Sequence, residues 1–272
     1  MKYGVERTLI DWSHSPEYST EVNGLDQAVT GIKGMDEILH GGLPKGRIIL
    51  LAGSPGSGKT TFAMQFLAAG AKSGEGGLYV SLDEKPERIK TDLSGFNWNL
   101  DLLEREGKLT LIDATQLRRP GPRTDDRMPG EKGVNLILPE LTLGSLARTI
   151  RRITSEESIQ RLAIDPVTSL MLRYPDESKR RRALLLFFDA LESTGCTCIV
   201  TSELHTSVLA RQFQIEEYLS QGVILLHTMV HEGNVIRAVQ VEKMRGIGHD
   251  TQLRPYQIGT TGIEVYPKDR VF

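Results

Sequence analysis

The chain has 272 residues, enough for one large α/β domain with a well-buried core or at most two small domains. Hydrophobic residues make up 39% and charged residues 25% of the chain, with a net charge of −2, which gives no general attraction to nucleic acid or to anionic membranes. No apolar run approaches the roughly 18 residues of a membrane span, and the mixed charges of residues 1–15 exclude a signal-peptide core there. Two cysteines, Cys196 and Cys198, are too few for a disulfide framework, so we expect a cytoplasmic protein.

Apolar runs of strand length alternate with helical patterns along most of the chain. Residues 1–22 are polar and aperiodic and are interpreted as an N-terminal extension, which leaves 23–272 as a single domain. The runs predict strands at 47–52, 77–83, 108–113, 161–165, 196–202, 222–227 and 235–243, and the helical spacing predicts helices at 59–72, 86–93, 141–155 and 178–193. This alternation indicates an α/β fold with a mainly parallel, twisted sheet and helices on both faces, and the last strands are expected to be antiparallel because no helix separates them.

A glycine-rich segment between the first long strand and the helix after it matches the pattern G-x-x-x-x-G-K-[ST]. Such a turn points backbone N–H groups at a β-phosphate, and the helix adds its free N-terminal N–H groups and its dipole. The lysine supplies a cation for the β- and γ-phosphates, and the following threonine hydroxyl can ligate Mg²⁺. The predicted phosphate-binding residues are Ser54, Pro55, Gly56, Ser57, Gly58, Lys59, Thr60 and Thr61.

Acidic residues follow three of the predicted strands, where ligands of parallel α/β sheets bind. Asp165 ends an apolar strand and is predicted to hold Mg²⁺ directly or through water, although such an aspartate can also serve only as a helix cap. Glu84 is predicted to be the base that activates water, with Asp83 as its partner or as a ligand of a Mg²⁺-bound water, unless both lie in a solvated turn. Thr201, Ser202 and Glu203 end another strand and are candidates for sensing the γ-phosphate.

Two cations close the last long predicted strand. Period-two geometry puts Lys243 and Arg245 on one face and Met244 on the other. A pair of cations suits a polyphosphate, and arginine suits the stabilisation of a phosphoryl-transfer transition state. An exposed basic edge that discourages strand pairing is the competing interpretation.

From about residue 24 to about residue 267 the chain resembles the KaiC-type ATPases of the RecA superfamily. The stretches that carry the resemblance are Thr30-Gly31-Ile32, Gly41-Gly42-Leu43-Pro44-Lys45-Gly46, the glycine-rich loop, Tyr79 through Pro86, Glu106 through Leu109, Asp113-Ala114, Ile164 through Ser169, Ile215 through Ser220, Lys243 through Gly246, and His249-Asp250. The motif around Lys243 is close to a hallmark of the family. The resemblance therefore implies a single RecA-like P-loop NTPase domain.

The resemblance also implies a hexameric ring that holds ATP between subunits. Lys59 and Thr60 would then serve the ATP and Mg²⁺ of their own subunit, with Asp165 acting through water. The two cations after the last long strand would reach a neighbour's γ-phosphate, and Met244 and His249 would lie close to that nucleotide. The family usually has paired glutamates where this chain has Asp83-Glu84, so Glu84 is the preferred catalytic base.

The expected function is slow Mg²⁺-dependent ATP hydrolysis that drives conformational signalling, with the chain itself and a signalling protein as partners. A DNA-binding, recombinase-like ATPase is an alternative, because five basic residues lie in the loop 118–133 (Arg118, Arg119, Arg123, Arg127 and Lys132). The same loop contains acidic residues and no aromatic residues for base stacking, so nucleic acid is not the expected partner. The sequence also leaves open an ATP-gated scaffold with little turnover, and an autokinase. Glu217-Tyr218 occupies the family's phosphorylation site, which argues against self-phosphorylation.

Overall fold

The computed structural model describes residues 25–118, 142–171, 173–204, 214–231 and 233–271. The proposed extension at 1–22 lies outside these residues, as does nearly all of the basic loop, including Arg119, Arg123, Arg127 and Lys132. No helix within the described segments combines the length and apolar character needed to cross a bilayer.

A nine-stranded mixed sheet forms the centre of the domain. A separate two-stranded pair, β1 (Gln27–Ala28) and β2 (Leu43–Pro44), precedes it in the chain. The strands of the large sheet are β3 (Ile48–Gly53), β4 (Gly76–Ser81), β5 (Leu109–Asp113), β6 (Ile159–Asp165), β7 (Thr197–Glu203), β8 (Gly222–His231), β9 (Asn234–Met244), β10 (Arg254–Gly259) and β11 (Gly262–Val265). Their order is β11-β10-β9-β8-β3-β7-β6-β4-β5.

The sheet divides into a parallel and an antiparallel part. The strands from β8 to β5 in the sheet order are parallel to one another, and β9, β10 and β11 continue from β8 as antiparallel neighbours. This confirms the predicted α/β class, including the antiparallel C-terminal strands. The inner parallel strands β3, β6 and β7 are almost wholly buried, as expected for strands that are covered on both faces.

Helices cover both faces of the sheet. They are α1 (Met35–Ile38), α2 (Lys59–Lys72), α3 (Pro86–Asp92), α4 (Leu100–Arg105), α5 (Leu143–Glu156), α6 (Glu177–Glu192) and α7 (Ile215–Leu219), with short 3-10 turns at Thr115–Arg118 and Val167–Met171. On one face, Phe62 and Phe66 of α2 pack with Tyr79 and Ile199 of the sheet. On the other face, Ile150 of α5 belongs to a core with side chains of α6. The two cores hold the parallel strands between two layers of helices.

Arg161 on β6 ties the edge of this core together through a buried guanidinium that is only 3% exposed. It donates to Glu75 at 2.6 Å and to the backbone oxygens of Val29 and Phe66 at 2.8 and 2.9 Å. Its guanidinium carbon also lies 4.5 Å from the centre of the Phe66 ring. Lys45 adds a second ion pair to the same carboxylate at 3.2 Å. Burial by itself raises the pKa of Glu75, but these two cations outweigh it and lower that pKa below its ordinary value of 4.5.

Candidate functional site

A cleft of about 440 Å³ opens at the carboxyl ends of the parallel strands. One side of the cleft is the glycine-rich loop and the start of α2, and the facing side carries acidic side chains. Many of the predicted site residues line it: Pro55, Lys59, Thr60, Thr61, Asp83, Glu84, Asp165 and Glu203. The strand topology thus brings together residues that are far apart in the sequence.

The glycine-rich loop links β3 directly to α2. Gly56 and Gly58 adopt φ values of 76° and 92°, which favour glycine. A Cβ on Gly58 would also lie 2.7 Å from the Ile258 side chain. Because Gly58 is the N-cap of α2 and has no side chain, it leaves the first N–H groups of that helix uncapped. These groups are a suitable site for an anion.

Lys59, the first residue of α2, turns its ammonium group back into the loop. Its Nζ donates to the carbonyl oxygens of Gly53 and Ser54 at 2.9 and 3.1 Å. Burial lowers the pKa of Lys59 from the ordinary 10.5, and the negative charges of Asp165 and Glu203 oppose that shift. The cation is therefore partly desolvated and close to the place where phosphate oxygens would lie.

Asp165 lies at the end of β6, where three hydroxyl groups surround its carboxylate. The Thr60 hydroxyl donates to Oδ2 at 2.6 Å, and the Tyr79 hydroxyl donates to the same oxygen at 2.5 Å. The Thr201 hydroxyl donates to Oδ1. The direct bond between Thr60 and Asp165 joins the two residues that were predicted to hold the metal.

These groups fit a magnesium ion. A hydroxyl oxygen and carboxylate oxygens are hard ligands, and Mg²⁺ is usually held by one or two such protein groups together with phosphates and waters. Within the described residues no cluster of three or more His, Cys, Asp or Glu side chains forms a metal cage. Two protein groups of this kind suit a Mg²⁺ ion that is shared with phosphate oxygens.

Asp83 and Glu84 face the same cleft from the turn between β4 and α3. The Ser81 hydroxyl holds the turn by donating to the backbone oxygen of Glu84. The Glu84 carboxylate is about half exposed and forms an ion pair with Arg88 at 3.7 Å. Glu84 thus has access to water in the cleft, but its carboxylate is directed towards Arg88 in this structure.

Ser202 and Glu203 end β7, next to the strand that leads into the glycine-rich loop. Ser202 is buried and donates to Gln214 Oε1 at 3.1 Å, and Gln214 Nε2 donates to the Glu203 backbone oxygen at 3.2 Å. Glu203 lines the cleft and lies near enough to Lys59 to affect the pKa of that lysine. Their proposed role as γ-phosphate sensors stays a prediction.

The two cations of the predicted finger follow a β-bulge in β9. Ile224 pairs with Val241 and Val223 pairs with Lys243, so Glu242 is an extra residue on this strand. A bulge of this kind redirects the side chains that follow it. Lys243 consequently points away from the core that Val241 contacts, and its Nζ donates to the Glu217 backbone oxygen at 2.7 Å.

This finger lies at the opposite end of the parallel strands from the glycine-rich loop of the same chain. Met244 pairs with Gly222 at the start of β8, and Gly222 pairs with Ile49 near the start of β3, whereas the loop begins at the end of β3. At about 3.3 Å per residue, the four residue steps of β3 from Ile49 to Gly53 separate the level of Met244 from the start of the loop by roughly 13 Å. Lys243 and Arg245 are therefore not brought to the cleft that contains Lys59.

Met244 is placed differently from its two neighbours. Its side chain is 4% exposed and packs in the core of its own chain, where its sulfur would lie 2.5 Å from a Cβ on Gly222. The Met244 side chain thus faces its own core rather than the surface, and the expected closeness of Met244 to a neighbour's nucleotide stays a prediction. His249 is partly buried, and neither of its ring nitrogens has a hydrogen-bond partner within the described part of the chain.

Two tyrosine hydroxyl groups near the cleft were not predicted to take part in the site, whereas Thr201 was a candidate sensor together with Ser202 and Glu203. Tyr79 and Thr201 donate to Asp165, and the buried Tyr256 hydroxyl donates to the Ser57 backbone oxygen in the glycine-rich loop at 2.6 Å. Tyr79 offered a signal, because period two places it on the same face of β4 as Ser81. For Tyr256 no local signal existed, since β10 reaches the loop only through the tertiary fold.

A glycine-rich loop that follows a central parallel strand, with an aspartate at the end of a strand two positions away, defines a P-loop NTPase with the RecA-like α/β fold. The family model described as "ATPase: KaiC" matches residues 28–270. The chain belongs to the KaiC family of ATPases.

Individual relatives show the same similarity. A UPF0273 protein of Thermotoga maritima is 34% identical over 240 residues, which cover 88% of this chain and 96% of the relative. The circadian clock protein KaiC3 of Synechocystis sp. is 30% identical over 91% of this chain, but the match covers 47% of that longer protein. The crystal structure of a KaiC-like protein from the archaeon Pyrococcus horikoshii superimposes with a TM-score of 0.75 and 32% identity, covering 89% of this chain and all of the other.

Proposed function

We propose that the chain binds ATP with Mg²⁺ and hydrolyses it slowly at the subunit interfaces of a homohexameric ring. The observation that carries this proposal is the meeting of Lys59, Thr60 and Asp165 in one cleft. A phosphate cradle, a cation and a metal-binding pair at that position are the parts that nucleotide hydrolysis requires.

Within its own cleft the chain would supply binding and orientation. The N–H groups of the loop and of the start of α2 hold the β-phosphate, and the Lys59 ammonium moves from the carbonyl oxygens of Gly53 and Ser54 to the phosphate oxygens. Bound Mg²⁺ neutralises charge that develops on the phosphates. Glu84 orients and deprotonates the attacking water, which requires its carboxylate to turn from Arg88 towards the cleft.

The position of the finger supports catalysis across a subunit interface. Lys243 and Arg245 lie at the opposite end of the parallel strands from the glycine-rich loop of their own chain. We therefore expect them to contact the nucleotide of a neighbouring subunit. Arg245 is exposed. Lys243 is partly buried, and this burial together with the Arg245 charge lowers the pKa of Lys243. This pair of cations would gain electrostatic energy from a neighbour's γ-phosphate. Ring closure around ATP then couples nucleotide state to conformation, which a signalling partner would recognise.

The first experiment measures nucleotide binding, phosphate release and particle mass with and without Mg²⁺. The wild type should bind ATP, release phosphate and form a hexamer. Glu84→Gln should keep binding but lower phosphate release by about 100-fold or more. Equal turnover by both proteins would refute the role of Glu84, and binding without turnover in the wild type would instead indicate an ATP-gated scaffold.

A mixing experiment tests the interface. Glu84→Gln and Arg245→Ala should each be nearly inactive alone, because each removes one half of a composite site. Mixed rings should regain part of the activity, since some interfaces would combine an intact Glu84 with an intact Arg245. Failure of all mixtures to regain activity, with mixed rings demonstrated by native mass spectrometry, would rule out the finger acting in trans.

A further inference from the structure

The Tyr79 hydroxyl is buried at the metal-binding aspartate. Tyr79 is 0% exposed, and most of its ring belongs to the apolar core on the α2 face of the sheet. Its hydroxyl reaches the floor of the cleft and donates to Asp165 Oδ2 at 2.5 Å. A phenylalanine would fill the same core position without a polar atom, so the hydroxyl serves the carboxylate rather than the packing.

The bonds to Asp165 leave little of its acceptor capacity unused. A carboxylate has about four lone-pair directions. Tyr79 and Thr60 occupy two on Oδ2, and Thr201 occupies one on Oδ1. Among the donors of the described residues, this leaves one direction, on Oδ1, for a further donor. A water that is bound to a metal is a donor of the right kind, whereas direct ligation would require Asp165 to give up one of these bonds.

Towards Asp165, the Tyr79 hydroxyl acts as a hydrogen-bond donor. Burial raises its pKa well above the ordinary 10.0, and the negative charge of Asp165 adds to the shift. The phenol therefore keeps its proton throughout the neutral range. The Tyr79 hydroxyl does not block the Mg²⁺ ligand that Thr60 would supply. The Thr60 proton points at Asp165, so the Thr60 oxygen stays available to the metal.

We propose that Tyr79 is a positioning residue: its hydroxyl fixes the Asp165 carboxylate so that this group holds Mg²⁺ through a bound water and keeps the Thr60 oxygen directed at the metal. The proposal rests on the proposed function, since it concerns the metal of the same nucleotide site. It predicts that the hydroxyl contributes to the Mg²⁺-dependent part of nucleotide binding and not to the part that the glycine-rich loop supplies alone.

The test compares wild type with Tyr79→Phe by titrating a fluorescent ATP analogue, once in EDTA and once over a series of Mg²⁺ concentrations. The affinity in EDTA should be equal for both proteins. The Mg²⁺ concentration that gives half of the metal-dependent tightening should rise about tenfold in Tyr79→Phe, as expected for the loss of one hydrogen bond to a charged group. Tyr266→Phe is the matched control, because its hydroxyl bonds to Gln257 on the outer strands, away from the cleft.

A double variant separates positioning from a general effect on stability. In an Asp165→Asn background, adding Tyr79→Phe should change the Mg²⁺ dependence by less than twofold, because the carboxylate that the hydroxyl holds is gone. An unchanged Mg²⁺ requirement in Tyr79→Phe, or an equal loss in EDTA, would overturn the proposal while leaving nucleotide binding intact. A wild type that binds no nucleotide in either condition would overturn the proposed function as well.

Discussion

The side chain of Lys59 offers the sharpest test of the nucleotide site, through the variant Lys59→Met. Methionine keeps a similar length and apolar stem but removes the ammonium. In the nucleotide-free protein this substitution should lower the folding stability only slightly, because the two carbonyl oxygens that accept from Lys59 also accept from other donors. Gly53 O also accepts from Leu204 N at 3.1 Å, and Ser54 O accepts from Ser57 N at 3.2 Å. Removing a partly desolvated cation also relieves the burial penalty that lowers its pKa.

The loss of nucleotide affinity should be much larger. Two charge-assisted hydrogen bonds from Lys59 to phosphate, at about 1.5–2 kcal/mol each, amount to about 3–4 kcal/mol, or roughly 100- to 1000-fold in dissociation constant. Calorimetric titration with ATP and Mg²⁺ would measure this, and a melting curve without nucleotide would measure stability. If Lys59→Met bound ATP within threefold of the wild type while remaining folded, the assignment of the phosphate cradle would be refuted.

The same lysine gives the binding a defined dependence on pH. Phosphates favour the charged form of Lys59, so binding raises a pKa that burial has lowered below 10.5. Nucleotide affinity should therefore be constant at neutral pH and fall as the pH rises through the lowered pKa. Lys59→Met should lack this alkaline decline, and isothermal titrations at a series of pH values would compare the two proteins.

Two further changes probe the scaffold. Glu75→Ala should lower stability by about 2–3 kcal/mol, because it leaves the buried Arg161 guanidinium without its carboxylate, and should lower Tm by roughly 4–12 °C; an unchanged melting curve would contradict this. In the wild type, the contribution of Glu75 should be complete above pH 4.5 and be lost as the pH falls through its lowered pKa. Tyr256→Phe should weaken ATP binding in EDTA as well as in Mg²⁺, since its hydroxyl holds the loop carbonyl of Ser57 rather than the metal site; a change confined to Mg²⁺ would argue against this role.

Much of the fold followed from local patterns. The helix at 59–72 was predicted with the limits of α2, because an amphipathic pattern follows the glycine-rich loop without a break. The helix predicted at 178–193 begins one residue earlier as α6, because Asp176 caps it by accepting from Lys179 N at 2.8 Å. The short helix α4 and the hairpin of β10 and β11 were missed, since their few apolar residues acquire meaning only through packing against other parts of the chain.

The site was predictable in its parts and not in its arrangement. The loop motif and the acidic strand ends identified Lys59, Thr60 and Asp165, because each carries its chemistry at a fixed position relative to a strand. Tyr79 was overlooked because an apolar strand suggests a tyrosine with a structural role, and only the pairing of Ser81 with Asp165 places its hydroxyl at the carboxylate. The distance between the finger and its own cleft likewise depends on the antiparallel pairing of β9 with β8.

The direction in which the finger points depends on the bulge at Glu242, which places Lys243 rather than Glu242 opposite Val223. If β9 alternated regularly from Val241 with Glu242 in the ladder, Lys243 would enter the apolar layer and Met244 would face outward. Deleting Glu242 would remove the bulge and keep both orientations, because Lys243 would still lie opposite Val223. Replacing Glu242 by another residue would leave both orientations unchanged. Two homologous strands with identical finger residues, one bulged and one regular, would thus present opposite chemistry at this surface.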